Sequence, residues 1–361
     1  MMKMNDLNIS WPPTQSGSVS ATKWAGVARM GGVGDNLIAA STLGPLHRQG
    51  YKVEVITQMP YSCVFENNPY IDKLSVHQEN SKDFPTDGLM WQQWFASRGK
   101  EFDKFGNLSH SCESLIAQFP ASTPFWWSAN ARRKFFGRNY LEAVHDIMEI
   151  PYEFERLFWP TEEEVQQAQA TKKEIGPRFI AWCISGSRLD KIYPYSPTTI
   201  GRIIKELNIP VVLLGAPGKN VDMAQAVSEN VRRQNGSLDG LHIAISPDGE
   251  KPTWPIRRIL TLAQQCDLMI SPDTGPAWAV AFESIPKIIM LSHASPENIT
   301  KHWINTTTLH ADPKRVPCWP CHRLHDVIDT CTPNKEGNGA ACITDISVPL
   351  IIDHAAKLLE I

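Results

Sequence analysis

The sequence predicts an α/β protein with two doubly wound domains, each containing a mostly parallel sheet. Short apolar runs alternate with amphipathic helical segments through both halves of the chain, and this alternation is typical of βαβ units. At 361 residues the chain is long enough for two domains that each bury a substantial core. The two halves are not sequence repeats, so each domain is considered separately.

Composition and hydropathy indicate a globular protein. Hydrophobic residues make up 42% of the chain and charged residues 20%, which is the usual balance of soluble domains. A formal net charge of −3 gives no reason to expect a nucleic-acid partner. No apolar run reaches the roughly 18 residues that a membrane helix requires, so no transmembrane segment is expected.

Residues 1–23 are rich in Ser, Thr, Pro and Gln and predict a flexible N-terminal arm. They lack the apolar core segment of a signal peptide. We therefore expect a cytoplasmic protein, and a peripheral position at a membrane surface stays open.

The first domain, predicted at 24–160, opens with a βαβ unit. A strand at 24–30 leads into a glycine turn, a helix opened by Asp35 or Asn36 follows, and Gly50 ends that helix before the next strand, YKVEVIT. Three glycines make the turn: Gly31, Gly32 and Gly34. A doubly wound domain commonly begins in this way.

Asp35 follows this turn and has three interpretations. A dinucleotide site is one, because Glu54 lies about twenty residues further on. Against it, the third glycine of G-x-G-x-x-G is missing, and Asp35 would repel a pyrophosphate. A carboxylate in this position is better suited to accepting a proton, and the third interpretation is a simple helix cap.

The segment from 84 to 159 is less regular and rich in aromatic residues. Its rings indicate core packing, or the lining of an acceptor groove. The basic run from Arg132 to Arg138 predicts a solvated helix face, or an anion-binding surface if it lies at a cleft. RNYLEAVHDIMEI predicts an amphipathic helix closed by Pro151.

The segment 161–177 predicts a linker region with an exposed charged helix, and a second domain is predicted at 178–345 with a C-terminal helix at 346–361. Strands and helices alternate through this half as they do in the first. Strands are expected at 179–185, 211–218, 241–246, 267–271 and 287–291, and helices at 196–207, 220–231 and 254–265.

The turn PDTGPAW organises the second domain. Asp273 and Thr274 stand where an N-cap belongs, Gly275 allows close approach of a ligand, and Pro276 suits the first helical turn. A helix N-terminus at the carboxyl end of a strand is a place where phosphates bind in open α/β sheets. An ordinary capped turn between a strand and a helix is the alternative.

The chain has eight cysteines, and the last four cluster. Isolated ones such as Cys63, Cys183 and Cys266 predict reduced core residues. The clustered ones are weak candidates for structural zinc: Cys318, Cys321, Cys331 and Cys342. Their second half lacks the C-x-x-C spacing, so reduced thiols or a loop disulfide are the favoured interpretation, with no metal bound.

Five motifs taken together resemble glycosyltransferase family 9, the heptosyltransferase-like enzymes of the GT-B fold. In order they are GVGDNLIAASTLGPLH, ENNPYIDKL, GSRLDKIYP, SPDTGPAWAVAFESIPKIIML and the C-x-x-C…C…C…DIS tail. The resemblance extends from about Trp24 to the C-terminus. It implies two Rossmann-like domains facing across a cleft, a nucleotide-sugar donor held mainly by the second domain, and an inverting, metal-independent sugar transfer.

The resemblance also implies roles for individual residues. Asp35, in the G-x-G-D segment, would be the general base. The donor phosphates would be contacted by two loops, at Ser187, Arg188 and Lys191 and at Asp273, Thr274 and Gly275, the latter chiefly through backbone amides. The acceptor stays open between a glycan, a lipid-linked glycan and a protein.

Trp278 departs from the family pattern, which commonly has a histidine there. An indole has no second ring nitrogen and carries no positive charge near the phosphates. It could stack on the donor instead. A catalytically silent nucleotide-sugar binding protein on the same fold is therefore the alternative to an enzyme.

Overall fold

The structure is a computed structural model that describes residues 22–78, 88–184, 186, 188–215, 219–245, 254–325 and 331–361. Of the predicted N-terminal arm, only Thr22 and Lys23 are among them. Within these ranges no helix is both long and apolar enough to cross a membrane.

The first sheet has four parallel strands in the order β3-β2-β1-β4. They are β1 (Lys23–Ala28), β2 (Tyr51–Gln58), β3 (Lys73–His77) and β4 (Lys104–Asn107). The chain adds β2 and β3 on one side of β1 and β4 on the other, so the topological switch point lies between β1 and β4. Ligands bind outside the carboxyl ends of strands at such points. Strands β1 and β2 were predicted from the βαβ pattern, whereas β4 was not.

The second sheet has six parallel strands in the order β10-β9-β8-β5-β6-β7. They are β5 (Ile180–Cys183), β6 (Val211–Leu214), β7 (Leu241–Ile243), β8 (Leu268–Pro272), β9 (Lys287–Met290) and β10 (Thr306–Leu309). Strands β5, β6, β8 and β9 are buried throughout, as expected for parallel strands covered on both faces. Here the switch point lies between β5 and β8. Two doubly wound parallel sheets were predicted, and both are confirmed.

Helices connect the strands in both domains. They are α1 (Val33–Ala40), α2 (Leu43–Arg48), α3 (Gly88–Gly99), α4 (Ala129–Phe136), α5 (Tyr140–Ile147), α6 (Glu162–Ile175), α7 (Ser196–Arg202), α8 (Lys219–Asn235), α9 (Ile256–Ala263), α10 (Gly275–Ala279), α11 (Ala341–Thr344) and α12 (Val348–Leu358). Helix α7 continues as a π-helical segment, Ile203–Leu207.

The single helix predicted between Asp35 and Gly50 is two helices. It breaks at Ser41 and Thr42, whose hydroxyls donate hydrogen bonds to the carbonyl oxygens of residues 38 and 39, at 2.6 and 2.8 Å. Hydroxyls that bond locally to the backbone compete with helix continuation. The helix predicted after Gly275 has five residues.

The predicted linker contains an ordered helix, α6, that joins the two domains. The Thr161 hydroxyl and the Glu164 carboxylate form a capping box at its start. Glu164 also pairs with Arg257 of α9, and Arg257 donates a hydrogen bond to the Cys63 carbonyl of the first domain at 2.8 Å. This buried guanidinium therefore ties the linker helix to both domains, while the domain limits stay a prediction.

A second contact between the domains pairs two asparagines. The Asn139 side chain caps α5 and donates to the carbonyl oxygens of Glu297 and Asn298, at 2.9 and 3.2 Å. The Asn298 side chain donates in return to the carbonyl oxygens of Phe136 and Arg138, at 2.7 and 2.9 Å. Asn139 and Asn298 are both fully buried. This reciprocal pairing fixes the start of α5 against the second domain, beside the cleft.

Candidate active site in the interdomain cleft

A cavity of about 840 Å³ lies between the carboxyl ends of the two sheets. Its walls come from the loops that follow β1, β4, β5 and β8, which are the strands at the two switch points. The first domain contributes Asp35, Glu113 and Tyr140, and the second contributes Arg188, Lys191, Asp273, Thr274 and Gly275. Its volume falls within the range of roughly 300–1,000 Å³ that small-molecule sites occupy.

Asp35 lies in the first turn of α1 with its carboxylate at the cavity. One oxygen accepts a hydrogen bond from the Gly32 amide at 2.9 Å, and the other lies 2.8 Å from the Arg29 guanidinium. Its side chain is 33% exposed. The prediction that Asp35 or Asn36 opens the helix is wrong, because Gly32 is the N-cap. Asp35 thus stabilises the turn and faces the cavity at the same time.

The guanidinium of Arg29 contacts the carboxylates of both Asp35 and Glu113. Its guanidinium is fully buried and makes a two-pronged contact with the Glu113 carboxylate, at 3.0 and 2.9 Å. Burial raises the pKa of Asp35, the Glu113 charge raises it further, and the Arg29 guanidinium opposes both. The net direction is upward, which is the direction that favours proton acceptance from a hydroxyl near neutral pH.

Lys191 and Asp273 form an ion pair on the opposite wall. The ammonium donates to the Asp273 carboxylate at 2.8 Å and to the Asp273 carbonyl at 3.0 Å. Burial opposes both charges, but the partner's charge outweighs it. The pKa of Lys191 is therefore raised and that of Asp273 is lowered. Both groups are charged, and Asp273 holds the ammonium at the turn after β8.

Trp278 supports this ion pair from the core. Its indole N–H donates to the second carboxylate oxygen of Asp273 at 2.8 Å, and its ring packs edge-on against Trp303 with centroids 4.7 Å apart. The residue is 2% exposed. Trp278 therefore contacts Asp273 directly. It also lines the cavity, and stacking of a donor on its ring stays a prediction.

The glycine turns of the two domains pack directly against each other. A Cβ atom on Gly275 would lie 2.6 Å from Cγ1 of Val33, and one on Gly34 would lie 3.3 Å from Cδ1 of Trp278. The sequence interpretation assigned the small size of Gly275 to the approach of a ligand. The structure shows that Val33 of the first domain occupies that space. Gly31 is needed for a different reason, its positive φ of 136°.

The other predicted site residues have mixed outcomes. Arg188 and Thr274 line the same cavity as Lys191, so the two predicted loops do meet. Thr274 is the N-cap of α10 but makes no side-chain capping bond, in contrast to the prediction. Because α10 has only five residues, its dipole is weaker than a full helix would give. Ser187 lies outside the described residues.

One end of the cavity is apolar. Leu214, Trp254, Ile256 and Ile259 line it, together with Gly215 and Asn220. The Trp254 ring is covered by the guanidinium of Arg258, 3.7 Å from its centroid. Aromatic and aliphatic walls of this kind suit a nucleobase. No sequence motif predicts this surface, because its members come from β6, a loop and α9.

The basic run predicted as a solvated face holds the C-terminal tail instead. Arg132 is 3% exposed and donates to the Cys321 carbonyl at 2.6 Å. Arg133 donates to the carbonyl oxygens of Pro317 and Trp319, both at 2.6 Å.

The aromatic side chains between residues 84 and 159 mainly pack on one another, and Trp126 is an exposed exception at 64%.

The four clustered cysteines line a second, small cavity of about 30 Å³, together with Asp190 and His293. All four are free thiols, so the loop disulfide is not formed. Burial raises the pKa of Cys321 and of Cys331 to about 12, which keeps these thiols protonated. Among the described residues no three potential ligands are grouped closely enough to hold a metal ion.

Comparison with known proteins gives the fold a name. No protein-family model matches the chain, and no curated protein matches it. Solved structures do. A glycosyl transferase family 9 structure from Veillonella parvula is 17% identical, covers 94% of this chain and 97% of its own, and superposes with a TM-score of 0.65. The chain has the GT-B fold. The two predicted facing Rossmann-like domains are thereby confirmed.

Two Escherichia coli structures extend this GT-B comparison. The ADP-heptose lipopolysaccharide heptosyltransferase II is 13% identical over 92% of this chain and 98% of its own, with a TM-score of 0.58. An iron-containing dodecameric glycosyltransferase is 10% identical over 94% of this chain and 77% of its own, with a TM-score of 0.56. The family resemblance drawn from five motifs therefore holds at the level of the fold.

Proposed function

We propose that this GT-B protein is a glycosyltransferase that moves a sugar from a nucleotide-sugar donor to an acceptor hydroxyl with inversion. One observation carries the proposal: a carboxylate with a raised pKa, on Asp35, and a charged ammonium, on Lys191, line opposite walls of one cavity of suitable volume. A displacement at a sugar carbon needs a proton acceptor on one side and positive charge on the other.

Asp35 is the proposed general base. The acceptor oxygen forms a bond to the anomeric carbon while its proton passes to the Asp35 carboxylate, and the bond from that carbon to the diphosphate oxygen breaks. Attack from the face opposite the leaving group inverts the configuration. A positioned base contributes roughly 10²–10⁴-fold to such a step. Arg29 and Glu113 keep the carboxylate in place through the contacts described above.

Lys191 and Arg188 are the proposed counter-charges for the departing diphosphate. The backbone amides at Thr274 and Gly275 add hydrogen-bond donors at the same wall. Asp273 would not face the phosphates itself, because its two carboxylate oxygens are occupied by Lys191 and Trp278. In this proposal Asp273 positions the Lys191 ammonium. When the donor binds, the ammonium exchanges part of its contact with Asp273 for a contact with a phosphate oxygen.

The apolar end of the cavity is the proposed nucleoside pocket. Its walls, Leu214, Trp254 and Ile259, offer surfaces for a flat base, on the second-domain side where Lys191 stands. One GT-B relative above is named for ADP-heptose, so ADP-sugars are the first donors to test. The acceptor stays open between a glycan, a lipid-linked glycan and a protein, and a cytoplasmic location remains a prediction.

The transfer is proposed to need no metal ion. One of the relatives is an iron-containing glycosyltransferase. In this chain the four clustered thiols share a cavity with Asp190 and His293, but no three possible ligands among the described residues stand close enough together to coordinate one ion. The thiols are instead proposed to be reduced, with neither zinc nor iron taking part in the reaction.

A thermal-shift panel of ADP-, UDP-, GDP- and CDP-sugars tests the proposal, followed by an assay of sugar transfer and donor hydrolysis. A ligand present at a hundred times its dissociation constant adds about 2.7 kcal/mol to the free energy of unfolding. Stabilisation by one donor together with turnover supports an enzyme. No stabilisation by any of the four would contradict the proposed function.

A catalytically silent binding protein is the second candidate, and Trp278 is the observation that favours it. The indole N–H is committed to Asp273, so this position adds no charge at the phosphates. In that case a donor would stabilise the protein, and neither transfer nor hydrolysis would be detected with any nucleotide of the panel.

A further inference from the structure

The hydroxyl group of Tyr140 has no part in the transfer step proposed for Asp35 and Lys191. The residue is 4% exposed and lines the same cavity as Asp35 and Lys191. Within the described part of the chain, its phenolic oxygen has no hydrogen-bond partner. A buried hydroxyl without a partner is unfavourable, because it has lost water and gained nothing in return. The position therefore favours a ligand group that completes the bond.

The backbone around Tyr140 is fixed from both domains. It is the first residue of α5, and its amide donates to the Asn298 carbonyl of the second domain at 3.0 Å. The preceding residue, Asn139, makes the reciprocal pairing with Asn298 described above. Tyr140 is therefore held at a defined place in the wall of the cavity, and a bond formed there loses little conformational entropy.

The charges around the phenol identify the kind of ligand atom. Burial is the first cause of its strongly raised pKa, and the carboxylates of Asp273, Glu113 and Asp35 add to it, with Asp273 the largest of the three. A phenol that keeps its proton acts as a donor toward an oxygen acceptor. Asp273 is the partner of Lys191 in the ion pair at the proposed phosphate site.

We propose that Tyr140 is a ligand-binding residue that donates a hydrogen bond to the diphosphate of the nucleotide-sugar donor. This assignment rests on the proposed function. A residue of the first domain would then complete a phosphate site whose other groups, Lys191 and the amides at Thr274 and Gly275, come from the second. The bond would strengthen as the diphosphate leaves, since the leaving group gains negative charge during transfer.

The test compares Tyr140→Phe with a control variant, Tyr70→Phe. Tyr70 lies outside the cavity lining and donates its hydroxyl to the Glu155 carboxylate at 3.1 Å. Calorimetric titration with ADP, UDP, GDP and CDP identifies the tightest diphosphate, and the corresponding nucleoside is titrated as well. Thermal unfolding of the free proteins is measured in parallel.

Tyr140→Phe is expected to bind the diphosphate about 10- to 100-fold more weakly, the range for one hydrogen bond to a charged group. Its nucleoside affinity should stay at the wild-type value, and its melting temperature should not fall, because no bond within the protein is lost. Tyr70→Phe should show the reverse, with a lower melting temperature and unchanged diphosphate affinity.

Two results would overturn the assignment and leave the proposed function standing. One is wild-type diphosphate affinity in Tyr140→Phe. If turnover falls while this affinity is unchanged, the hydroxyl contacts the sugar or the acceptor instead of the diphosphate. The other is an equal loss for the nucleoside and the diphosphate with a lowered melting temperature, which marks a structural role. If none of the four diphosphates binds the wild-type protein, the proposed function and this assignment both fail.

Discussion

The ammonium of Lys191 lies 2.8 Å from the carboxylate of Asp273, and the two side chains are each 12% exposed. A buried ion pair contributes little net stability, but the removal of one partner leaves an uncompensated buried charge. The pair joins the loop after β5 to the turn after β8, so it fixes the two sides of the switch point in the second sheet. Its position therefore predicts effects on both binding and stability.

Lys191→Ala should weaken the binding of the best nucleoside diphosphate by about 1.5–3 kcal/mol, the range for a charge-assisted hydrogen bond. It should also destabilise the fold, because Asp273 stays buried without its partner. Titration calorimetry and denaturant unfolding measure the two effects. Lys301→Ala is the control, since Lys301 pairs with Glu142 and Glu297 outside the cavity. Equal diphosphate affinity in both variants would remove Lys191 from the site.

Asp35→Asn should lower turnover by two or more orders of magnitude and leave donor binding nearly unchanged, because a base is needed for transfer but not for binding. The amide oxygen can still accept the hydrogen bond from the Gly32 amide. Asp103→Asn is the matched control, since Asp103 also accepts a backbone bond, from the Trp24 amide at 2.8 Å, and lies away from the cavity. A loss smaller than threefold in Asp35→Asn would leave Asp35 with a structural role alone.

Glu113→Gln should shift the pH dependence of turnover. Asp35 acts in its deprotonated form, so the rate falls as pH falls through its pKa. Glu113 raises that pKa through its charge, and it also shares the Arg29 guanidinium with Asp35. Removal of the charge should lower the pKa, and the acidic limb of the rate profile should therefore move to lower pH. A profile that stays in place, or moves upward, would contradict the contact network described here.

Gly275→Ala should disturb the contact between the two domains, because its Cβ would lie 2.6 Å from Cγ1 of Val33. We expect lower stability and weaker diphosphate binding. Val33→Ala removes the nearest methyl group but keeps Cβ, which would still lie 2.9 Å from the new atom, so the double variant should recover part of both losses. A double-mutant cycle measures this coupling. Independent, additive effects of the two substitutions would mean that Gly275 is required by the ligand instead.

The sequence predicted the β-strands well because buried parallel strands appear as continuous apolar runs. The glycine turns after two of these runs also pointed to Asp35 and Asp273, whereas Lys191 was predicted from the resemblance to glycosyltransferase family 9. Strand β4 was missed, because its four residues, KFGN, contain only one large apolar side chain. Because β4 was not predicted, the adjacency of the loops that follow β1 and β4 was not predicted either.

The rest of the site could not be predicted because it depends on contacts between distant segments. Arg29 and Glu113 are 84 residues apart and meet only because β1 and β4 are adjacent. Tyr140 reaches the cleft through the Asn139–Asn298 pairing across the domains. The sequence pattern describes each segment alone, and it contains no information on which polar side chain faces which.

Trp278 separates the enzyme from the silent binder, and its contacts define the useful substitutions. Trp278→Ala would open a cavity against Trp303 and cost about 3–5 kcal/mol of stability, so its activity would be difficult to interpret. Trp278→Phe keeps most of the packing and removes only the indole N–H that binds Asp273. Trp278→His introduces a side chain that can carry positive charge.

If Trp278 acts through Asp273, Trp278→Phe should weaken diphosphate binding by about 0.5–1.5 kcal/mol, the net value of one hydrogen bond, with a comparable fall in turnover. Trp278→His should keep or raise turnover, because an imidazole can add charge near the phosphates. A silent binder predicts no turnover in the wild type and a gain in the histidine variant alone. Donor hydrolysis and diphosphate affinity, measured in all three proteins, distinguish these outcomes. Wild-type affinity and rate in Trp278→Phe would show that the hydrogen bond to Asp273 has no part in binding, and Trp278 would then be a packing residue.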